Sequence, residues 1–149
     1  MKYFEDFVVG EVTDFPGRYL VTEEEIREVG ERWDPQPFHV DPVAAAESVF
    51  GGLVASSVHL FAISTCLGVK GEPTAAVSSL GFRAVNNHAP ARPGDELRNR
   101  STVLESRLSQ SRPGVGVVTT LLELLNQRQE LVFSWENAAL IQCRPAPDP

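Results

Sequence analysis

Leu53-Val54-Ala55-Ser56-Ser57-Val58-His59-Leu60-Phe61-Ala62-Ile63-Ser64-Thr65-Cys66-Leu67 carries apolar side chains on nearly all sides once wound as an α-helix. A helix of that kind belongs at the centre of a core. These fifteen residues would run about 22 Å, close to the breadth of a small sheet wrapped around them. From Ser48 to Val69 there is no Asp, Glu, Lys or Arg, a run long enough to span a bilayer. A membrane span is rejected all the same: Gly51, Gly52, Ser56, Ser57, His59, Ser64, Thr65 and Gly68 keep the mean hydropathy modest, and no other segment resembles a second span or an anchor.

Downstream of this helix the pattern changes to short β-favouring runs at Ala75 to Val85, Glu96 to Ser106, Val115 to Leu125 and Glu130 to Cys143. Pro93-Gly94, Arg112-Pro113-Gly114 and Asn126-Gln127-Arg128-Gln129 supply the turns between them. Val8 to Leu20 offers one more strand. Upstream, Thr22-Glu23-Glu24-Glu25 has the form of a capping box. Ile26, Val29, Gly30 and Trp33 continue from it as one apolar helical stripe ending at Asp34-Pro35. A further short helix is expected at Pro42 to Glu47, with Asp41 as its cap and Pro42 at the first helical position. The order predicts an α+β fold, a single antiparallel sheet curled over one long central helix. Its end strands would be left open, so a homodimer or larger homo-oligomer is expected, with a site near the subunit contact.

With 149 residues the chain fits one domain. That domain is placed at residues 1–143, and Arg144-Pro145-Ala146-Pro147-Asp148-Pro149 is expected to be a frayed tail. Cys66 and Cys143, far apart and outside any metal-ligand spacing, are expected as buried free thiols in a reducing compartment. The acidic start Met1-Lys2-Tyr3-Phe4-Glu5-Asp6 lacks the features of a presequence, which points to a cytoplasmic protein. The formal charge of −7 argues against nucleic acid as the main partner. There is no Gly-x-Ser-x-Gly elbow and no glycine-rich phosphate loop.

The chemistry is concentrated in Asp34-Pro35-Gln36-Pro37-Phe38-His39-Val40-Asp41, where two prolines stiffen a loop that carries an acid and an imidazole. Alone, such a pair is commonly a solvated acid and a surface histidine. The segment resembles, however, the motif Asp-x-Asn/Gln-Pro-x-His-x-Asp of the MaoC-like dehydratases, the hot dog fold family that includes the (R)-specific enoyl-CoA hydratases. Phe50-Gly51-Gly52, Pro90-Ala91-Arg92-Pro93-Gly94-Asp95, Glu105 to Pro113 and Asn126-Gln127 extend the resemblance in order over nearly the whole chain. Two positions depart from it. Ser57 stands where many members have Gly, which narrows the acyl pocket, and Gln129 stands where a hairpin Gly is usual, which strains the turn.

The resemblance implies a lyase acting on an acyl-CoA or acyl-carrier thioester, with the thioester as substrate and no resident cofactor or metal. His39 and Asp34 would hold one water, with His39 taken as base and Asp34 as acid, although coupled groups titrate as a pair and the sequence does not divide their roles. Backbone amides at the start of the central helix, around Ser56 and Ser57, would meet the enolate oxygen. Gln36 and Gly52 complete the expected substrate-binding set. Ser56 reads equally as a helix cap, Asp41 as the cap of the next helix, and His59 as a hydrogen-bonded core histidine. His88 is expected to be exposed. Arg92 and Arg112 read as solvated turn arginines or as contacts to coenzyme A phosphates. Two rivals stand beside the lyase: a hot dog thioesterase, which would usually place its acid on the central helix, where none stands here, and a binding protein that holds an acyl thioester without turnover.

Overall fold

The computed structural model describes residues 1–146. Strands β1 (Val12–Asp14) and β2 (Tyr19–Leu20) lead into helices α1 (Glu23–Trp33), α2 (Pro37–Val40), α3 (Pro42–Glu47) and α4 (Ser57–Gly71). Four long strands follow: β3 (Ala76–Asn87), β4 (Glu96–Leu108), β5 (Val115–Leu125) and β6 (Leu131–Gln142). The sheet runs β1-β4-β5-β6-β3, with β2 also on β4, and every named pairing is antiparallel. This is the α+β hot dog arrangement, with α4 against the sheet.

Helix α4 buries Leu60, Ile63 and Leu67 in one core with Leu97, Leu122, Leu124, Phe133 and Trp135 of the sheet. Apolar contact leaves a helix free to slide, and a buried polar network removes that freedom. Ser64 Oγ donates to Asn99 Oδ1 at 3.0 Å, Asn99 Nδ2 donates to the Ser64 carbonyl at 2.7 Å, and Trp135 Nε1 donates to Ser64 Oγ at 2.9 Å. A satisfied network of this kind fixes α4 along its axis and so fixes where its N-terminus lies.

Several expectations need correction. The central helix begins at Ser57 rather than Leu53, because the amides of Val54 and Ala55 donate to the carbonyls of Phe38 and Ala91, which holds that segment out of the helix. The single strand expected over Val8 to Leu20 is two short ones, separated around Pro16-Gly17, where proline has no N–H to give. Thr22 caps α1 by accepting from the Glu25 amide at 3.2 Å, but the Glu25 carboxylate turns to Tyr19 instead of closing the box. Trp33 is 65 % exposed and stands outside the stripe that buries Ile26 and Gly30. Cys66 and Cys143 are unpaired, but only half-buried.

Other local readings hold. Asp41 Oδ1 accepts from the Val43 and Ala44 amides and caps α3. Gly94 takes a φ of 90° in the Pro93-Gly94 turn, and Gln129 is held at a φ of 63°, the strain foreseen for a side chain at a glycine position. Arg144 departs from the expected frayed tail, because its amide donates to Glu5 Oε2 at 2.9 Å and its guanidinium pairs with Asp6. Residues 147–149 of the expected tail lie outside the described residues. Among the described residues no helix is long and apolar enough to cross a membrane.

Candidate active site

Asp34 stands at the C-cap of α1, its amide donating to the Gly30 carbonyl at 2.9 Å. The following Pro35 disfavours a helical conformation for it, and the chain leaves α1 with φ −153° and ψ 77°. Gln36 is likewise extended before Pro37, which occupies the first position of α2 with its φ already suited to a helix. Two prolines within three residues read as breakers and predict a loop here, whereas Pro37–Val40 forms a single helical turn. Its effect is to carry His39 back over α1.

His39 is 6 % exposed. Its Nδ1 lies 2.6 Å from the Val54 carbonyl oxygen, and a carbonyl only accepts, so Nδ1 carries the proton. Nε2 therefore points the other way, 3.4 Å from Asp34 Oδ2, at ion-pair distance. The Phe38 carbonyl accepts from the Val54 amide at 3.1 Å, so α2 and the segment before α4 are joined at two points. Phe38 meets the His39 ring edge-on at 4.6 Å and Phe50 at 5.1 Å.

Asp34, Gln36, His39 and Ser57 face a common cavity of about 540 Å³, with Phe50 and Leu60 among its apolar walls. The sequence placed these four polar residues in the site, and the structure brings them together. Ser56 and Gly52 stand outside the lining. Ser56 is buried as the N-cap of α4, its Oγ accepting from the His59 amide at 3.2 Å. Gly52 lies against Arg92, whose Nη1 would be 3.6 Å from an added Cβ. The first-turn amides of Ser57 and Val58 have no acceptor within the helix, because a helix leaves its first N–H groups unpaired. They and the helix dipole give α4 a positive amino end, where Ser57 lines the cavity with Asp34 and His39.

Three residues acquire roles the sequence did not give them. Arg92 is neither a free turn arginine nor directed outward: Nη2 donates to the Phe50 carbonyl at 2.6 Å and holds an aromatic wall of the cavity. Asn87, from β3, donates Nδ2 to Ser57 Oγ at 2.8 Å, and this fixes the hydroxymethyl that replaces the familiar glycine. His88 is exposed as expected, yet it lines the cavity and lies 2.7 Å from Ser134 Oγ. None had a local signal, since each contact joins segments distant in sequence. Arg112 is exposed. Among the described residues no group of His, Cys, Asp and Glu side chains has the makings of a metal site.

A family model, the MaoC like domain, matches residues 6–124. YdeM, an uncharacterised protein of Bacillus subtilis, is 31 % identical over 143 residues, 93 % of this chain and 97 % of its own. The crystal structure of the MaoC-like dehydratase from Rhodospirillum rubrum superposes with a TM-score of 0.90 at 39 % identity, covering 97 % of this chain and 99 % of that one. An (R)-hydratase from A. caviae involved in PHA biosynthesis shares the fold, with a TM-score of 0.66 at 19 % identity over 94 % of this chain and 99 % of its own. With a motif-bearing loop, an imidazole aimed at a carboxylate and a family match across most of its length, this chain belongs to the MaoC-like domain family.

Proposed function

We propose that the protein is a hydro-lyase that adds water to a trans-2-enoyl thioester to give the (R)-3-hydroxyacyl thioester, and that catalyses the reverse dehydration. The observation that carries this is the placement of His39 Nε2 and Asp34 Oδ2, 3.4 Å apart, on a cavity at the amino end of α4. Water oxygen bonds to the β-carbon while its proton passes to Nε2, and the α-carbon takes a proton from the Asp34 carboxyl. Transfer from Nε2 to the carboxylate restores the pair, so protons balance with no cofactor. Negative charge that develops on the thioester oxygen is met by the Ser57 and Val58 amides. Syn addition follows because both groups address one face of the alkene.

Enoyl absorbance followed across chain lengths, on coenzyme A and acyl-carrier thioesters, with free thiol measured alongside, tests this. Absorbance falls without thiol release if the reading is right. Stoichiometric thiol release would transfer the assignment to a thioesterase, although α4 has no Asp or Glu to serve one. Tight binding with no change in either signal would make the protein a carrier.

The functional unit includes a second copy of the chain. Strand β3 lies at a sheet edge with all its residues exposed, including Val77, Leu80, Phe82 and Val85. Beside it, α4 leaves Val58, Ala62, Thr65 and Val69 uncovered, a stripe contrary to a helix buried all round. Two β3 edges paired about a twofold axis would join the sheets and cover both stripes. Sedimentation is expected to give twice the chain mass, and Leu80→Lys to shift the equilibrium toward monomer by at least about tenfold, the loss of one buried apolar contact. A parent that sediments as a monomer would refute the arrangement.

A further inference from the structure

His59 occupies the first turn of α4 and is 2 % exposed, yet neither ring nitrogen has a hydrogen-bond partner among the described residues. A buried polar group left in that state calls for a cause. One acidic group faces it. Glu25 Oε2 lies 3.4 Å from His59 Nε2, close enough for ion pairing but without the alignment of a hydrogen bond. The other oxygen, Oε1, accepts from Tyr19 Oη at 2.6 Å. The three side chains come from β2, α1 and α4, so they join the beginning of α1 to the beginning of α4.

Both helices end in the site. Asp34 caps the far end of α1, nine residues and about 13 Å beyond Glu25, while α4 presents its first amides beside the Glu25 contact. At its other end α1 is seated under His39 through Gly30. Ile26 also packs α1 into the core and Arg27 Nε ties it to the Val40 carbonyl, so what the Glu25 contact adds is the aim of the first turn: a tilt of about 4° over that length moves Asp34 by about 1 Å. A shift of that size can lower turnover by about 10²-fold. We propose that Tyr19, Glu25 and His59 form a positioning chain that sets α1 on the first turn of α4 and thereby holds Asp34 and His39 opposite the amides of Ser57 and Val58. The kinetic consequence rests on the hydro-lyase reading, while the geometric one does not.

The charge states suit a fixed strut. Burial pushes the Tyr19 hydroxyl up to about 12, with the Glu25 carboxylate adding to the effect, so Tyr19 keeps its proton and donates throughout the working range. Burial holds the His59 imidazole below its ordinary 6.5, against the pull of Glu25 and with a further push from His39 on α2. The folded protein therefore binds fewer protons than the unfolded chain between 6.5 and the lowered value. The stability due to neutral His59 is complete above pH 6.5 and is lost as pH falls through that window.

The test uses the full chain with Glu25→Gln, His59→Ala and His59→Gln. Expected for His59→Ala is a fall in kcat of about 10- to 100-fold with KM within about twofold. The acid loss of thermal stability should shrink, and the labelled His39 ring resonances should move. His59→Gln, which keeps a polar group of similar reach, recovers most of the rate. Glu25→Gln lowers kcat in the same sense. If His59→Ala keeps the parental kcat and an unmoved His39 spectrum while only its stability changes, the chain is packing and the proposal fails. Should the parent turn over no enoyl thioester, the hydro-lyase assignment falls by itself, and the His39 spectrum alone decides: shifted resonances uphold the positioning chain and unchanged ones overturn it.

Discussion

Asp34→Asn and His39→Ala are each expected to lower turnover of a trans-2-enoyl thioester by about 10²–10⁴, roughly 3–5 kcal/mol of barrier, with the fold retained. The two variants do not test the dyad equally. Asparagine preserves the shape of Asp34 and its C-cap amide bond, and removes only the exchangeable proton. Alanine at His39 also strips the Val54 carbonyl of its imidazole donor and empties the contact with Phe38, so about 1–3 kcal/mol of stability is lost with the rate. Asp34→Asn should therefore melt close to the parent, and His39→Ala several degrees lower. In the proposed mechanism the two groups hand one proton between them, so the double variant should be scarcely slower than the worse single one. Rates of hydration equal to the parent in either single variant, with kcat and KM both unchanged, would remove the dyad from the mechanism.

What the sequence made legible was what neighbouring residues decide among themselves. The apolar sides of Leu60, Ile63 and Leu67 put α4 in the core, Asp41 before Pro42 announced a cap, and Gly94 marked a turn that needs a positive φ. The dyad was legible for the same reason, since Asp34 and His39 are aimed by the four residues between them, two of which are prolines. What escaped depends on partners from far along the chain. The start of α4 is decided by Phe38 and Ala91, whose carbonyls claim two amides, and the tautomer of His39 by a carbonyl fifteen residues away. Glu25 fitted a capping box perfectly well on local grounds and was drawn away by a tyrosine hydroxyl and a buried imidazole. Gly52 and Ser56 were placed in the substrate set by resemblance and adjacency, and the backbone sends them to Arg92 and to a helix cap.

Gly30→Ala is expected to reduce kcat by about 10- to 100-fold although it strengthens α1 as a helix. Residue 30 lies inside α1, three residues before its last, where alanine is worth up to about 1 kcal/mol over glycine, and its backbone is not in the left-handed region. Local propensity therefore favours the change. Space does not: an added Cβ would lie 2.9 Å from His39 Cβ, 3.1 Å from the His39 carbonyl oxygen and 3.1 Å from Val40 Cγ1. Only the last belongs to the end of a side chain. Retreat of α2 is opposed by the two bonds between Phe38, His39 and Val54, and by Arg27 Nε donating to the Val40 carbonyl at 3.2 Å. The helices must part by several tenths of an ångström, and His39 moves relative to Asp34, whose own amide is bonded to residue 30. Overpacking costs about 1–3 kcal/mol, much of it offset by the propensity gain, so stability changes little while geometry changes where the proton is passed. Glu31→Ala, one residue on and exposed, supplies the control with unaltered kcat. Thermal melts and kcat measured together distinguish the outcomes: a Gly30→Ala protein that is stable and slow marks glycine as the spacer that lets His39 approach, whereas one that is stable and as fast as the parent would show that α1 and α2 do not need this contact to set the dyad.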